Sequence, residues 1–253
     1  MGGIAIGSVA GARRTQSSYP RFLASTNPST VTITQTSSAN VPYPRAVVTA
    51  IARLPGVTRV RSVISPYLFP LAPDGAPIGV LTPAPTPGVF ASVDGLDFTQ
   101  DRVTVVHGRD ARLDQPNEFV ATVDAARVLW AHVGQVIPMG AYTDAQTSLP
   151  GFGTAKVARH LRIDARLVGI VVVNTQLLED DVDRFPSTSG FMFFTPALAR
   201  QLPGTRARTS TGYSSAREPG ASPASSNGPT RSFPPGHGGP RCRRRSWPRS
   251  SAP

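Results

Sequence analysis

The sequence predicts an α+β fold in which strands outnumber a few short helices. Segments whose apolar and polar side chains alternate, such as VTRVRSVI at 57–64, are typical of half-buried strands. The long apolar run RIDARLVGIVVVN at 162–174 predicts a further strand, and helical spacing occurs only in short windows closed by glycine or proline. These observations indicate a mixed sheet with short helices.

The first half of the folding region contains two strands and one helix. VTIT at 31–34 alternates as a strand does, and a helix is predicted at 45–56 from the spacing of Val47, Ile51 and Leu54. Pro44 suits the first turn of this helix, and its end is marked by LPG. After the strand at 57–64, seven prolines between 66 and 87 predict a long irregular surface connection.

The second half continues the same alternation. Strands are predicted at 88–93, 102–108, 118–123, 135–142 and 162–174, with a short helix at 124–134 that Gly134 closes. FMFFTPALARQL at 191–202 predicts a strand, an N-capping Thr195, Pro196 in the first helical position and a final helix.

The N-terminal segment differs from the start of an ordinary domain. Residues 1–12 are small or apolar and run into Arg13 and Arg14. As a helix they would cover about 18 Å, which is too short for a bilayer core of about 30 Å. Gly3, Gly7 and Gly11 would share one helix face, a pattern that lets membrane helices pack closely or that arises by chance in a Gly/Ala-rich stretch. The outer end of a membrane helix, a short buried helix and a frayed terminus are all open.

The C-terminal segment, 204–253, carries most of the net charge of +11. It holds nine arginines and one glutamate but no valine, isoleucine or leucine, and so is predicted to be disordered. A frameshifted or aberrant end, a basic arm at 241–249 for RNA or anionic lipid, and a native linker are the alternatives. The basic charge therefore gives no support to specific nucleic-acid binding by the folding region. Cys242 is the only cysteine, which excludes an intrachain disulfide.

No catalytic, cofactor-binding or metal-binding constellation is found in the sequence. The only lysine, Lys156, lacks the Gly-rich loop and Gly-Lys-Ser/Thr order that cradle phosphates. The four histidines have no metal-ligand spacing, no serine lies in a GxSxG elbow, and the acidic cluster at 178–184 is more typical of a solvated loop than of a calcium site. Trp130 is predicted to be a core residue. The chain is expected to be neither an enzyme nor a cofactor binder.

Four pieces in order resemble the extracytoplasmic core domain of FtsX-like, MacB-like ABC transporter permeases of the actinobacterial type. AGARRTQSSYPRFLAS at 10–25 is similar to the segment leaving the first membrane helix, LPGVTRV at 54–60 to the turn that opens the outer domain, and RLVGIVV at 166–172 to a later strand. The most specific piece, at 107–137, matches a "GR…NE-V-V…A…LG…VGD-I" pattern through Gly108, Arg109, Asn117, Glu118, Val120, Ala125, Leu129, Val133, Gly134 and Ile137.

The resemblance implies a division of the chain. Residues 1–12 would be the outer end of the first transmembrane helix, 13–203 the core domain and 204–253 the disordered tail, with the family's three further membrane helices missing. It also implies the cell membrane as location, an extracytoplasmic main domain, and a separate ABC ATPase subunit, a permease dimer partner and the lipid bilayer as partners. The expected role is to couple ATP-driven helix motion to substrate export or to a cell-envelope partner. A free extracytoplasmic binding or scaffold module, or a non-functional truncated product, is the alternative.

Overall fold

The computed structural model describes residues 18, 20, 21, 24–36, 45–81, 85–173, 189–202 and 206–215. By their contacts Met1–Ala216 form one unit and Arg217–Pro253 another, and all described residues belong to the first. The strands among them are β1 Val31–Thr36, β2 Val57–Pro70, β3 Gly88–Ser92, β4 Thr104–Gly108, β5 Glu118–Thr122, β6 Val136–Tyr142, β7 Leu161–Val172, β8 Phe191–Phe194 and β9 Arg206–Ser215. The complete helices are α1 Arg45–Ala52, α2 Val123–Val128, α3 Asp144–Thr147 and α4 Pro196–Gln201.

These strands form one mixed sheet. Its order is β1-β9-β2-β3-β8-β5-β7-β4, and β6 pairs with both β2 and β7. The pairs β3–β8 and β5–β7 are parallel, whereas the other pairs are antiparallel. The predicted α+β class with a mixed sheet and short helices is confirmed.

Six strands close on themselves within this sheet. The pairings run from β2 through β3, β8, β5, β7 and β6 back to β2, so none of these strands is left with a free edge on the circuit. Each strand of the circuit contributes to one buried cluster, which includes Leu68, Phe119, Met139, Leu167 and Phe194. The main core is therefore built from the shared face of the six strands, together with residues of α2 and α4.

A second buried cluster lies on the opposite face of three of these strands, β5, β7 and β8. Phe119 and Ala121 of β5 belong to the first cluster, while Val120 between them belongs to the second. Because successive side chains of a strand point to opposite faces, β5 is buried on both. Phe98 and Val103, from the segment between β3 and β4, also enter this second cluster.

Strand β2 is longer than the sequence predicts. It continues to Pro70, so the first part of the predicted surface connection is sheet and Leu68 is buried. A register irregularity precedes Pro66, and residues 67–70 then pair with β6. Pro66 lies at the irregular end of the β9 ladder and Pro70 at the end of the β6 ladder. The missing N–H of a proline is tolerated at such positions.

Helix α2 is shorter than predicted, and one predicted core residue is exposed. The helix ends at Val128 rather than continuing to 134, with Leu129 as its C-cap. Trp130 follows with a φ of 52° and is 90% exposed, so its assignment to the core was wrong. The left-handed backbone at this position turns the indole away from the apolar face that helical spacing assigned to it.

The structure also places a strand inside the segment predicted to be disordered from 204 onward. Strand β9, Arg206–Ser215, lies between β1 and β2 and pairs antiparallel with both. Backbone hydrogen bonds form this ladder without branched aliphatic side chains, and Thr209, Thr211 and Tyr213 favour extended structure. Residues 216–253, including Cys242 and the basic run at 241–249, lie outside the described residues, where disorder stays a prediction.

Candidate functional site

The residues considered for chemistry do not converge. His107, His132 and His160 are exposed, as is Lys156, whose backbone N–H donates to Thr154 Oγ1 within a turn. Among the described residues no group of three or more His, Cys, Asp or Glu side chains is placed to hold a metal ion. His237 and the acidic cluster at 178–184 lie outside the described part of the chain.

The membrane-helix prediction concerns residues that the structure does not describe. Gly3, Gly7 and Gly11, and the whole of 1–12, fall in this category. In the described ranges, no helix combines the length and the apolarity needed to cross a bilayer.

The most specific sequence motif forms a charged cluster between β4 and β5. Arg109 donates from both terminal guanidinium nitrogens to Glu118, at 2.8 Å and 2.6 Å. Arg112 adds a guanidinium bond at 3.0 Å and a backbone N–H bond at 3.0 Å to the same carboxylate. The Glu118 side chain is only 5% exposed, and the hydrogen bonds from Arg109 are the main reason why its pKa falls to about 2. This ion pair fixes the loop 109–117 onto the start of β5.

Two glycines permit the close backbone approach that this cluster requires. Gly108 has a φ of 80°, and a side chain there would overlap the carbonyl oxygen of Val168. A side chain at Gly169 would overlap the carbonyl oxygen of Arg109, whose own N–H donates to Val168 at 2.9 Å. These motif residues therefore hold β4, β5 and β7 together.

An open depression of about 370 Å³ lies beside the β2–β6 ladder. Its charged lining residues are Asp74, Arg159 and Arg162, with Leu71 and Pro138 as apolar neighbours. Arg162 also contacts Asp164 at 3.3 Å. Charges of both signs on an open surface do not define a ligand.

A polar network joins the segment 26–29 to the loop 94–103, and we refer to it as the joint. Backbone N–H groups of Asp101 and Arg102 donate to the carbonyls of Asn27 and Thr26, at 3.0 Å and 2.8 Å. The Asn27 side chain returns a bond to the carbonyl of Thr99 at 2.9 Å. These bonds connect residues about seventy positions apart and attach the segment before β1 to the domain.

A serine and a carboxylate complete the joint. Ser29 donates its N–H to Asp101 Oδ1 at 2.6 Å and its hydroxyl to Asp101 Oδ2 at 2.5 Å, and it accepts a bond from Gln100 Nε2 at 2.5 Å. Asn27 and Asp101 have φ values of 48° and 52°, a left-handed conformation that Asn and Asp tolerate better than most residues. The geometry accounts for the residue types at these two positions.

Two groups in the joint are held at a cost. Burial, with the neighbouring charge of Asp101 as the second cause, raises the pKa of Asp97 to about 8. The amide oxygen of Gln100 is buried and finds no hydrogen-bond donor among the described residues. An unsatisfied buried acceptor lowers the free energy of unfolding. The hydrogen bonds of the joint therefore stabilise the domain, while the Gln100 oxygen opposes them.

Reasoning from sequence missed the joint. Ser29, Gln100 and Asp101 lie in turns without a periodic pattern, and nothing in their spacing relates residues 26–29 to 97–102. The Gly- and Asp-rich stretch DGLDFTQD at 94–101 indicates a tight turn but gives no sign of its partner.

Comparison with known proteins gives structural neighbours, whereas no family model and no curated protein matches the chain. The extracellular domain of the noncanonic ABC-type transporter YknZ from Gram-positive bacteria aligns with a TM-score of 0.39 and 11% identity, over 74% of this chain and 85% of that one. The periplasmic region of MacB from Actinobacillus actinomycetemcomitans aligns with a TM-score of 0.39 and 10% identity, over 76% and 78% of the two chains.

A domain assigned to a permease protein from Porphyromonas gingivalis aligns with a TM-score of 0.36 and 12% identity, over 76% of each chain. The neighbours are thus an extracellular and a periplasmic part of transporters and a permease domain. They are proteins of the kind that the sequence resemblance indicates, and with TM-scores of 0.36–0.39 the alignments assign no role to this chain.

Proposed function

We propose that this chain is the extracytoplasmic domain of an ABC transporter permease subunit, held at the cell membrane. In this role the domain couples ATP-driven motion of membrane helices to substrate export or to a cell-envelope partner. The four resembling sequence pieces support the proposal, and the arrangement of β1 and β9 is the structural observation that carries it.

The backbone approaches and leaves the sheet at neighbouring points. Strands β1 and β9 are antiparallel, with Val31 at the start of β1 opposite Tyr213 near the end of β9. Paired strands lie about 5 Å apart, and packed helices have axes about 8–10 Å apart. Two connections this close match the spacing of two packed membrane helices in the arrangement that the resemblance implies, although residues 216–253 of this sequence contain no apolar run that could form the second helix.

The joint gives the proposed coupling a physical route. A displacement of the segment 26–29 would pull on the loop 94–103 through the bonds of Asn27 and Ser29. This loop is anchored in the second core cluster by Phe98 and Val103. Force applied before β1 would therefore reach the domain interior as well as its edge.

The same proposal assigns ATP hydrolysis to a separate subunit. Lys156 is exposed on a turn and has no phosphate cradle around it. A mechanical role needs neither a catalytic residue nor a cofactor in this domain, and a second permease subunit would complete the transport pathway.

The test is accessibility in intact cells that produce the full chain. In a Cys242→Ser background, Leu149→Cys places a thiol at a half-exposed position of the domain. We expect a membrane-impermeant maleimide to label this thiol in intact cells, and ATP hydrolysis to co-purify with the detergent-extracted chain. Labelling that appears only after lysis, with the chain in the soluble fraction, would overturn the proposal.

A further inference from the structure

Helix α1 lies on the surface and leaves an apolar stripe exposed. None of its residues is buried, although Val47 and Ile51, with Leu54 in the following turn, recur at helical spacing. Val47 and Leu54 are each 53% exposed. Helices of a folded domain normally bury such a stripe, so this one is available to a partner outside the described residues.

The opposite side of the same helix is basic. Arg45 begins the helix and Arg53 lies in the turn after it, and at helical spacing both are on the side away from Val47 and Leu54. Both arginines are exposed, as is Arg59 at the start of β2, and none of the three forms an ion pair within the described part of the chain. An apolar stripe on one side with uncompensated arginines on the other is the pattern of helices that lie in a membrane surface.

The distribution of charge along the chain separates this region from the rest of the domain. Residues 1–73 contain seven arginines and no lysine, aspartate or glutamate, for a net charge of +7. Residues 74–203 contain fourteen acidic and ten basic residues, for a net charge of −4. An anionic surface that approaches α1 thus meets no acidic side chain from residues 1–73, which would repel it. A second copy of α1 would be repelled by the arginines.

We propose that α1 with its following turn, defined by Arg45, Val47, Ile51, Arg53 and Leu54, binds the surface of an anionic lipid bilayer. The apolar side chains enter the boundary between headgroups and acyl chains, and the guanidinium groups meet lipid phosphates. Charge complementarity is the reason to prefer this occupant over a second copy. The proposal does not depend on the transport function, because it concerns a bilayer surface and not a membrane span.

A site-specific label separates this contact from binding by other basic or apolar parts of the full chain. In the Cys242→Ser background, an environment-sensitive NBD label is attached through Leu54→Cys, and through Leu149→Cys as the matched control. Vesicles of phosphatidylcholine with 30% phosphatidylglycerol should shift the emission at position 54 to shorter wavelength and leave position 149 unchanged. Vesicles of phosphatidylcholine alone should leave both unchanged. Equal responses at the two positions, or none at 54, would overturn the proposal.

Substitution tests the same contact without a label. Arg45→Gln with Arg53→Gln should weaken flotation with the anionic vesicles about thirtyfold, and Arg45→Lys with Arg53→Lys should restore most of it. Arg127→Gln with Arg200→Gln removes two exposed arginines elsewhere and should change binding less than twofold. If all three double variants bind like the parent, the bilayer is not the partner of α1. A gain of self-association in the Gln pair, with vesicle binding unchanged, would instead identify a second copy.

Discussion

At the residue scale, the joint shows how a few polar side chains fix the position of a whole segment. Ser29 donates two short hydrogen bonds to the Asp101 carboxylate, and Asp97 lies beside them with a pKa raised to about 8. A carboxyl group whose folded pKa lies above its usual value of 3.8 holds its proton more tightly in the folded state. Its contribution to stability is therefore complete at acid pH and is lost as the pH rises from about 4 through about 8.

Asp97→Asn should remove this pH dependence. Asparagine cannot ionise, and it tolerates the φ of 69° at this position. We expect the melting temperature of the variant, relative to the parent, to rise by several degrees between pH 5 and pH 9 in differential scanning fluorimetry. Asp114→Asn, at an exposed position, serves as the control and should show no such trend. An equal difference between Asp97→Asn and parent at both pH values would contradict the assignment.

At the element scale, local pattern predicts strands well and their limits poorly. The existence of β5, β6 and β7 can be predicted from their apolar runs, because each strand carries many apolar side chains that become buried. The extension of β2 depends on a ladder with β6 that lies about seventy residues away in sequence. Strand β9 depends on two partner strands and has no aliphatic pattern of its own. Pairing between distant segments determines the end of β2 and the presence of β9. Local patterns in a single sequence do not show which distant segments pair.

The motif between β4 and β5 illustrates the same limit for the candidate site. Gly108, Arg109 and Glu118 can be selected from the sequence, but their role appears only when the ion pair is seen to attach a loop to a buried strand. The Asn27–Thr99 bond, by contrast, has no local signal at either end. The family pattern identifies residues that hold the strands together, whereas the residues of the joint can be recognised only from the three-dimensional structure.

Arg109→Met should destabilise the domain and change its response to acid. The Glu118 carboxylate would stay buried with only Arg112 as its partner, which we expect to cost about 2–3 kcal/mol. Arg127→Met removes the exposed pair with Asp124 and should cost less than about 0.5 kcal/mol. Urea unfolding at pH 7 measures both free energies.

The acid limb provides an independent check on this ion pair. Because the pKa of Glu118 is lowered from 4.5 to about 2, its contribution is present above pH 4.5 and is lost as the pH falls toward 2. In Arg109→Met the pKa of Glu118 should move back up toward 4.5, so that the variant loses less stability than the parent between pH 4.5 and pH 2. Equal unfolding free energies for Arg109→Met and Arg127→Met would show that the buried pair does not stabilise the fold.

At the scale of the whole molecule, the sheet brings the two ends of the folded region together. The six-strand circuit holds the main core, and β1 and β9 lie outside it, next to the first half of β2. Strand β9 fills the space between β1 and β2, so β1 has no other partner in the sheet. The end of the folded region should therefore lie after β9 and not at residue 203, where composition alone would set it.

Two truncations distinguish these boundaries. A chain ending at Ala216 keeps β9 and should melt within about two degrees of the full chain, because the residues removed include no valine, isoleucine or leucine to bury. A chain ending at Pro203 loses β9, which leaves β1 without a partner and the N-terminal half of β2 as an open edge. We expect it to melt many degrees lower, to aggregate, and to exchange the amide hydrogens of residues 57–65 rapidly. Limited proteolysis of the full chain should likewise stop near residue 216. If the chain ending at Pro203 is as stable as the full chain, β9 is not part of the folded domain. The pairing of Val31 with Tyr213 would then be wrong, and with it the structural argument for insertion between two membrane helices.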